Sequence, residues 1–115
     1  GVVDAAREKG ILAFGNVNDM NKEENGKDVV VASALWHMEN AIDYAIDQVN
    51  AGTFKAENYK EWTMMQKGGA SLSSFYEFDD KISAATKAKV AELAAQIKAG
   101  KHVVEINDDQ PKSTF

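Results

Sequence analysis

Two short, unbroken apolar runs, Ile11-Leu12-Ala13-Phe14-Gly15 and Val29-Val30-Val31-Ala32, constrain this chain most. A run without polar alternation leaves no face for water, so each predicts a strand buried on both sides of a parallel sheet. Helical sequence stands beside both. Before the first run, Val2, Val3, Ala5 and Ala6 mix with Asp4, Arg7, Glu8 and Lys9, and Gly10 supplies a C-terminal stop. After the second, Leu35, Met38, Ile42, Ala45, Ile46 and Val49 recur at helical spacing, with Glu39, Asn40, Asp43, Asp47 and Gln48 opposite. Ser33 is the expected N-cap of that helix, and Asn50-Ala51-Gly52 its end. Between the runs, Asn16 to Asp28 is polar and reads as loop. Helix, strand, loop, strand, helix is the rhythm of an α/β fold.

Further along, Trp62, Met64, Leu72, Phe75, Tyr76 and Phe78 partly alternate around Lys67-Gly68-Gly69-Ala70, which predicts two strands and a glycine turn. A last helix is expected from Ser83 to Ala99, with Val90, Leu93, Ala94 and Ile97 facing inward and Gly100 stopping it. His102 to Ile106 predicts a short strand, and the tail 107–115, with the single proline, a loose end. The first helix opens at Gly1 with no cap, so the expected architecture is a truncated one, with 1–106 as a partial domain.

A chain of 115 residues fits one domain at most, and 44% hydrophobic with 27% charged residues is ordinary globular usage. The formal charge of −5, without any basic stripe, gives a phosphate backbone little to hold, so nucleic acid is not an expected partner. No apolar run approaches the ~18 residues of a membrane span, and no charged start followed by an apolar stretch marks a secretory signal. Zero cysteines remove disulfides, thiolate metal sites and cysteine nucleophiles.

The chemistry-bearing residues are few. Asp19 lies just past the carboxyl end of the first strand, where open α/β sheets place ligands. Its carboxylate accepts from two donors, such as vicinal hydroxyls, although a loop carboxylate more often closes an Asx-turn. Asn16 and Asn18 flank it and can contact a ligand edge or form turns. Trp36, at a strand-to-helix junction, offers a face for stacking or a core aromatic. His37 is expected to be solvated or capping. His37 and His102 lack an HExxH context, Ser71, Ser73 and Ser74 lack a G-x-S-x-G elbow, and Gly68-Gly69 lacks phosphate-loop spacing. The Asp79-Asp80 pair suits a helix N-terminus. No metal, cofactor or catalytic residue is expected, and the chain is not expected to be an enzyme.

Three stretches together resemble the basic-membrane-protein family of solute receptors. Gly1 to Gly10 resembles its G-hydrophobic-x-x-A-A-basic-x-x-G helix. Ala13-Phe14-Gly15-Asn16-Val17-Asn18-Asp19-Met20 is similar to its strand-end A-hydrophobic-G-x-D-x-D segment. Ala32 to Phe54, with Trp36 and Ala51-Gly52-Thr53-Phe54, resembles its third block. Val17 replaces the first Asp of the D-x-D, Trp36 stands where many members carry Lys, and Met38 replaces the second aromatic. The resemblance implies an αβα sandwich piece of a type I periplasmic-binding-protein-like fold, with 1–31 in one lobe and 35–106 mostly in the other lobe and hinge crossings. It further implies an extracytoplasmic, lipid-anchored or periplasmic receptor that hands purine nucleosides or nucleobases to ABC permease subunits. Asp19 would grip a sugar, Trp36 would stack on the base, and Asn16 and Asn18 would line the cleft. Two other readings stand beside it: a fragment of a nucleotide-dependent α/β enzyme, and a self-associating domain that forms a homo-dimer through uncovered apolar surface.

Overall fold

The computed structural model describes residues 1–105 and Asp109. Helix α1 (Val2–Lys9) ends at Gly10, whose φ of 64° is the left-handed cap that a residue without Cβ takes without strain. Its buried side chains Val3 and Ala6 pack with Val29 and Val30, with Ala13 and Met20 at the margin of this cluster. Arg7 fastens the helix to the following loop by donating to the carbonyls of Asn25 and Lys27 at 2.8 and 2.9 Å.

Strand β1 (Ala13–Val17) runs parallel to β2 (Val30–Trp36), and β3 (Ala70–Leu72) pairs antiparallel on the other side of β2. The result is a small α/β structure with a three-stranded mixed sheet in the order β1-β2-β3. Helix α2 (Glu39–Asn50) follows β2, 3-10 turns occupy Tyr59–Thr63, Met65–Lys67 and Tyr76–Lys81, and α3 (Ala84–Lys98) comes last. Ser83 caps α3, its side chain accepting from the Thr86 amide. Among the described residues no helix is long and apolar enough to cross a membrane.

Gly15 is the reason β1 and β2 can lie side by side. A Cβ at that position would stand 2.1 Å from Ser33 Oγ. Ser33 is fully buried and accepts from the Met20 amide at 3.1 Å, while its own amide donates to Ser73 Oγ at 2.8 Å. One serine therefore ties the loop after β1 to the segment after β3.

Several expectations are corrected. β1 is an edge strand, not an interior one: only Gly15 is buried, and Phe14 is 76% exposed. An apolar run specifies that something should cover it, not which segment does. Ser33 and Leu35 belong to β2 rather than to a helix, because the buried bonds of Ser33 to Met20 and Ser73 outweigh its capping preference. α2 starts only at Glu39. The region 59–78 forms one short strand instead of two, and Tyr59, Trp62, Tyr76 and Phe78 sit in 3-10 turns. Residues 102–105 are not in a strand, and Ile106 with the tail 107–115 lies outside the described residues except Asp109.

Of the stripe expected on α2 only Ile42, Ala45, Ile46 and Val49 are helical, since Leu35 lies in β2 and Met38 precedes the helix, and this stripe remains largely uncovered. Neither α2 nor α3 has a buried residue, and Ile42, Ile46 and Val49 are each at least half exposed. On α3, Val90, Ala94 and Ile97 are half-buried and Leu93 is exposed, so the expected inward face is only partly inward. The Cα radius of gyration, 17.6 Å, exceeds the ~13 Å of a compact chain of this length.

Candidate functional site

The carboxyl ends of β1 and β2 lie together, with Val17 opposite Leu35. Chain leaving β1 must turn at once. Val17 does so with a φ of 72°, a left-handed conformation that a β-branched residue adopts only when its surroundings impose it. The Asn16 side chain supports the turn by accepting from the Val17 amide at 3.0 Å. Two residues later Asp19 enters a 3-10 turn, held in place by the Met20–Ser33 bond.

Asp19 is the centre of a three-residue cluster. Its Oδ2 accepts a short hydrogen bond from the Tyr76 hydroxyl and faces Lys22 Nζ at 3.6 Å. Lys22 also lies 5.7 Å from the centre of the Tyr76 ring. Tyr76 has a φ of 45°, so both Val17 before Asp19 and the phenol that meets it stand in the left-handed region. Asp19 Oδ1 is buried and has no hydrogen-bond partner among the described residues. A buried acceptor without a donor is costly, because its lost hydration is not replaced. Sparsely populated backbone and an orphaned carboxylate oxygen therefore coincide at one sheet end.

The Asp19 carboxylate holds the Tyr76 phenol above its ordinary value of 10.0, and burial adds to the effect. The Tyr76 oxygen, and behind it Asp19, hold the Lys22 ammonium above 10.5. For both groups the fold favours the protonated form. Their contribution is thus fully present below the unfolded values and is lost as pH rises through the raised ones. A pH series of denaturant melts is expected to show an alkaline loss of stability beginning above about pH 10, diminished in Tyr76→Phe. An equally steep loss in that variant would assign the transition to other groups.

Of the sequence-selected residues, Asp19 reaches this cluster, while Asn16 is spent on the Val17 turn. Asn18 is exposed and contributes backbone bonds, its amide to the Asn16 carbonyl and its carbonyl to the Met20 amide, both at 2.9 Å. Trp36 ends β2 at the same edge of the sheet and is 54% exposed. The cavities described below are lined by none of these four residues. Sequence reasoning missed Tyr76 and Lys22. Tyr76 is 57 positions from Asp19, and its spacing resembled that of a strand aromatic.

His37 is a clasp rather than a solvated residue. Its Nε2 is 2.7 Å from Ser71 Oγ, its Nδ1 is 3.3 Å from Glu39, and its amide donates to Gly69 at 2.9 Å. The order serine, histidine, carboxylate has the connectivity of a nucleophile relay. The Glu39 side chain is 66% exposed, however, and water competes for its charge, so it orients the ring weakly. Joining β3 to the start of α2 accounts for the contacts. Among the described residues no group of three or more His, Asp or Glu side chains could hold a metal ion.

No protein-family model and no curated protein matches the chain. A solved structure does: a transcriptional activator of the comK gene from Bacillus halodurans, with a TM-score of 0.64 and 19% identity, covering 86% of this chain. The likeness is one of fold. This chain spans 33% of that protein's length. That protein is described as a transcriptional activator, not as a transport receptor. This corrects the transport expectation: the purine ligand, the ABC permease partner and the lipoprotein reading are set aside, as is the partner scheme built on them.

Proposed function

We propose that this chain is part of a non-enzymatic regulatory protein on an α/β binding-protein scaffold, in which Asp19 receives a hydrogen-bond donor from the regulating effector. The orphaned, buried Asp19 Oδ1 carries this reading. A side chain already fixed by Tyr76 through its other oxygen presents a preorganised acceptor, and a charged acceptor forms the stronger class of hydrogen bond. Strain at Val17 and Tyr76 on either side fits a site kept for recognition at the expense of local stability. The description of the fold neighbour as a transcriptional activator supports a regulatory setting.

The finer architecture belongs to the same proposal. Ancestry shared with the basic-membrane-protein family would make this chain a piece of a two-lobed type I binding fold, with 1–31 in one lobe and 35–106 mostly in the other. The uncovered stripe of α2 is consistent with packing against further chain of that kind.

The test is thermal denaturation of the protein in the presence of a panel of primary amines, amino acids and short peptides. At least one is expected to raise the midpoint, since a ligand at a hundred times its Kd stabilises by about 2.7 kcal/mol. Asp19→Asn, which turns half of the acceptor into a donor, is expected to weaken that ligand roughly tenfold or more. A panel without effect, or a midpoint rise that Asp19→Asn leaves intact, would remove the proposal.

A further inference from the structure

Away from Asp19, the second half of α2 and the segment after it build an aromatic corner. Tyr44 stacks on Trp62 with ring centroids 4.4 Å apart and planes 22° apart, and it meets Tyr59 edge-on at 5.9 Å. A cavity lies on each side of Tyr44. The first, about 480 Å³, is bounded by Gln48, Thr53, Lys55, Glu57 and Tyr59. The second, about 390 Å³, is bounded by Asn58, Glu61, Trp62, Lys67 and again Glu57. Tyr44 and Glu57 line both, and the Tyr44 hydroxyl points to Glu57 at 3.4 Å. Each volume lies within the range that holds small organic ligands.

We propose that these adjoining cavities bind a neutral carbohydrate of two sugar units, one ring in each. The charge pattern selects the class. Over the two cavities together Lys55 and Lys67 stand against Glu57 and Glu61, so neither a cation nor an anion that spans both gains net attraction. A sugar hydroxyl both donates and accepts, and it can satisfy a carboxylate and an ammonium together. The Trp62 face already carries Lys67 Nζ, 5.2 Å from the ring, which an incoming cation would have to displace. Thr53 Oγ1 donates to Gln48 Oε1 at 2.8 Å, fixing the amide with its NH2 end as a further donor. Tyr59, which meets Tyr44 edge-on and is not stacked on it, offers ring surface to the C–H face of a pyranose in the first cavity.

Trp36→Phe leaves Trp62 as the single tryptophan of the two and makes its emission a local reporter. In that background the protein is titrated with maltose, cellobiose and N,N′-diacetylchitobiose. A saturating change in Trp62 emission is expected with at least one of them. Tyr44→Leu and Glu57→Gln are each expected to weaken it at least fivefold, and Tyr44→Phe to preserve it. Asp19→Asn is expected to leave it unchanged, which separates this site from the effector site proposed above. The inference is overturned by a flat response to all three disaccharides, by spermidine giving the same saturating change, or by Glu57→Gln binding like the parent when Tyr44→Leu fails to fold.

Discussion

Replacing Gly15 with Val is expected to lower the unfolding free energy by about 3 kcal/mol, near the upper end for overpacking a filled position. Even the first added carbon would stand 2.1 Å from Ser33 Oγ and 3.0 Å from Met20 Cβ, so β1 must move away from β2 or Ser33 must turn. Turning Ser33 releases the Met20 amide, and moving β1 shifts the turn that carries Asp19. Urea denaturation measures the first consequence, and the Asp19-dependent ligand response the second. Gly15→Ala follows the same direction with a smaller loss. A Val variant as stable as the parent would mean that the two strands are not held at this separation.

Phe78→Ala is expected to cost about 3–5 kcal/mol, the range for removing a buried aromatic ring. Phe78 is 3% exposed, and among the described residues no other phenylalanine belongs to the buried core. In a structure with so few buried side chains the loss is a large share of a total stability of roughly 5–15 kcal/mol. Its 3-10 turn also carries Tyr76, so the cavity would loosen the Asp19 contact and reduce the alkaline transition at the same time. Phe78→Leu, which keeps most of the volume, should recover more than half of the loss. Chemical denaturation of the three proteins gives the comparison, and a loss under about 1 kcal/mol for Ala would show that the ring is dispensable.

Both expectations come from contacts that cross the sheet, and the sequence marked them poorly. Gly15 reads as the end of an apolar run and Phe78 as one aromatic among several. Neither spacing states that a serine 18 positions later needs the room of a missing Cβ, or that a 3-10 turn folds inward. Asp19 was legible from its place just past a strand end, where open α/β sheets hold ligands, and from the resemblance of its segment to a strand-end motif, although an Asx-turn was the commoner reading of such a carboxylate. Tyr76 was not, because its role exists only once the pairing of β3 with β2 has brought the following turn over to the loop that leaves β1. The assignment of a transported ligand rested on a resemblance and not on a contact, and the fold neighbour, a transcriptional activator, overturned it.

By itself the sequence determined what short-range forces decide. Val2–Lys9 with Gly10 behind it, the Ile42, Ile46 and Val49 stripe of α2, and a last helix from about Ser83 stopped by Gly100 all depend on neighbours within about a turn of helix. The tertiary structure alone decided which strand is an edge, where β2 ends, and which side chain meets Asp19. Those outcomes depend on burial and hydrogen bonds between segments far apart in the chain. Ser33 shows the division: its local preference is to cap a helix, and two buried bonds from distant segments make it part of a strand.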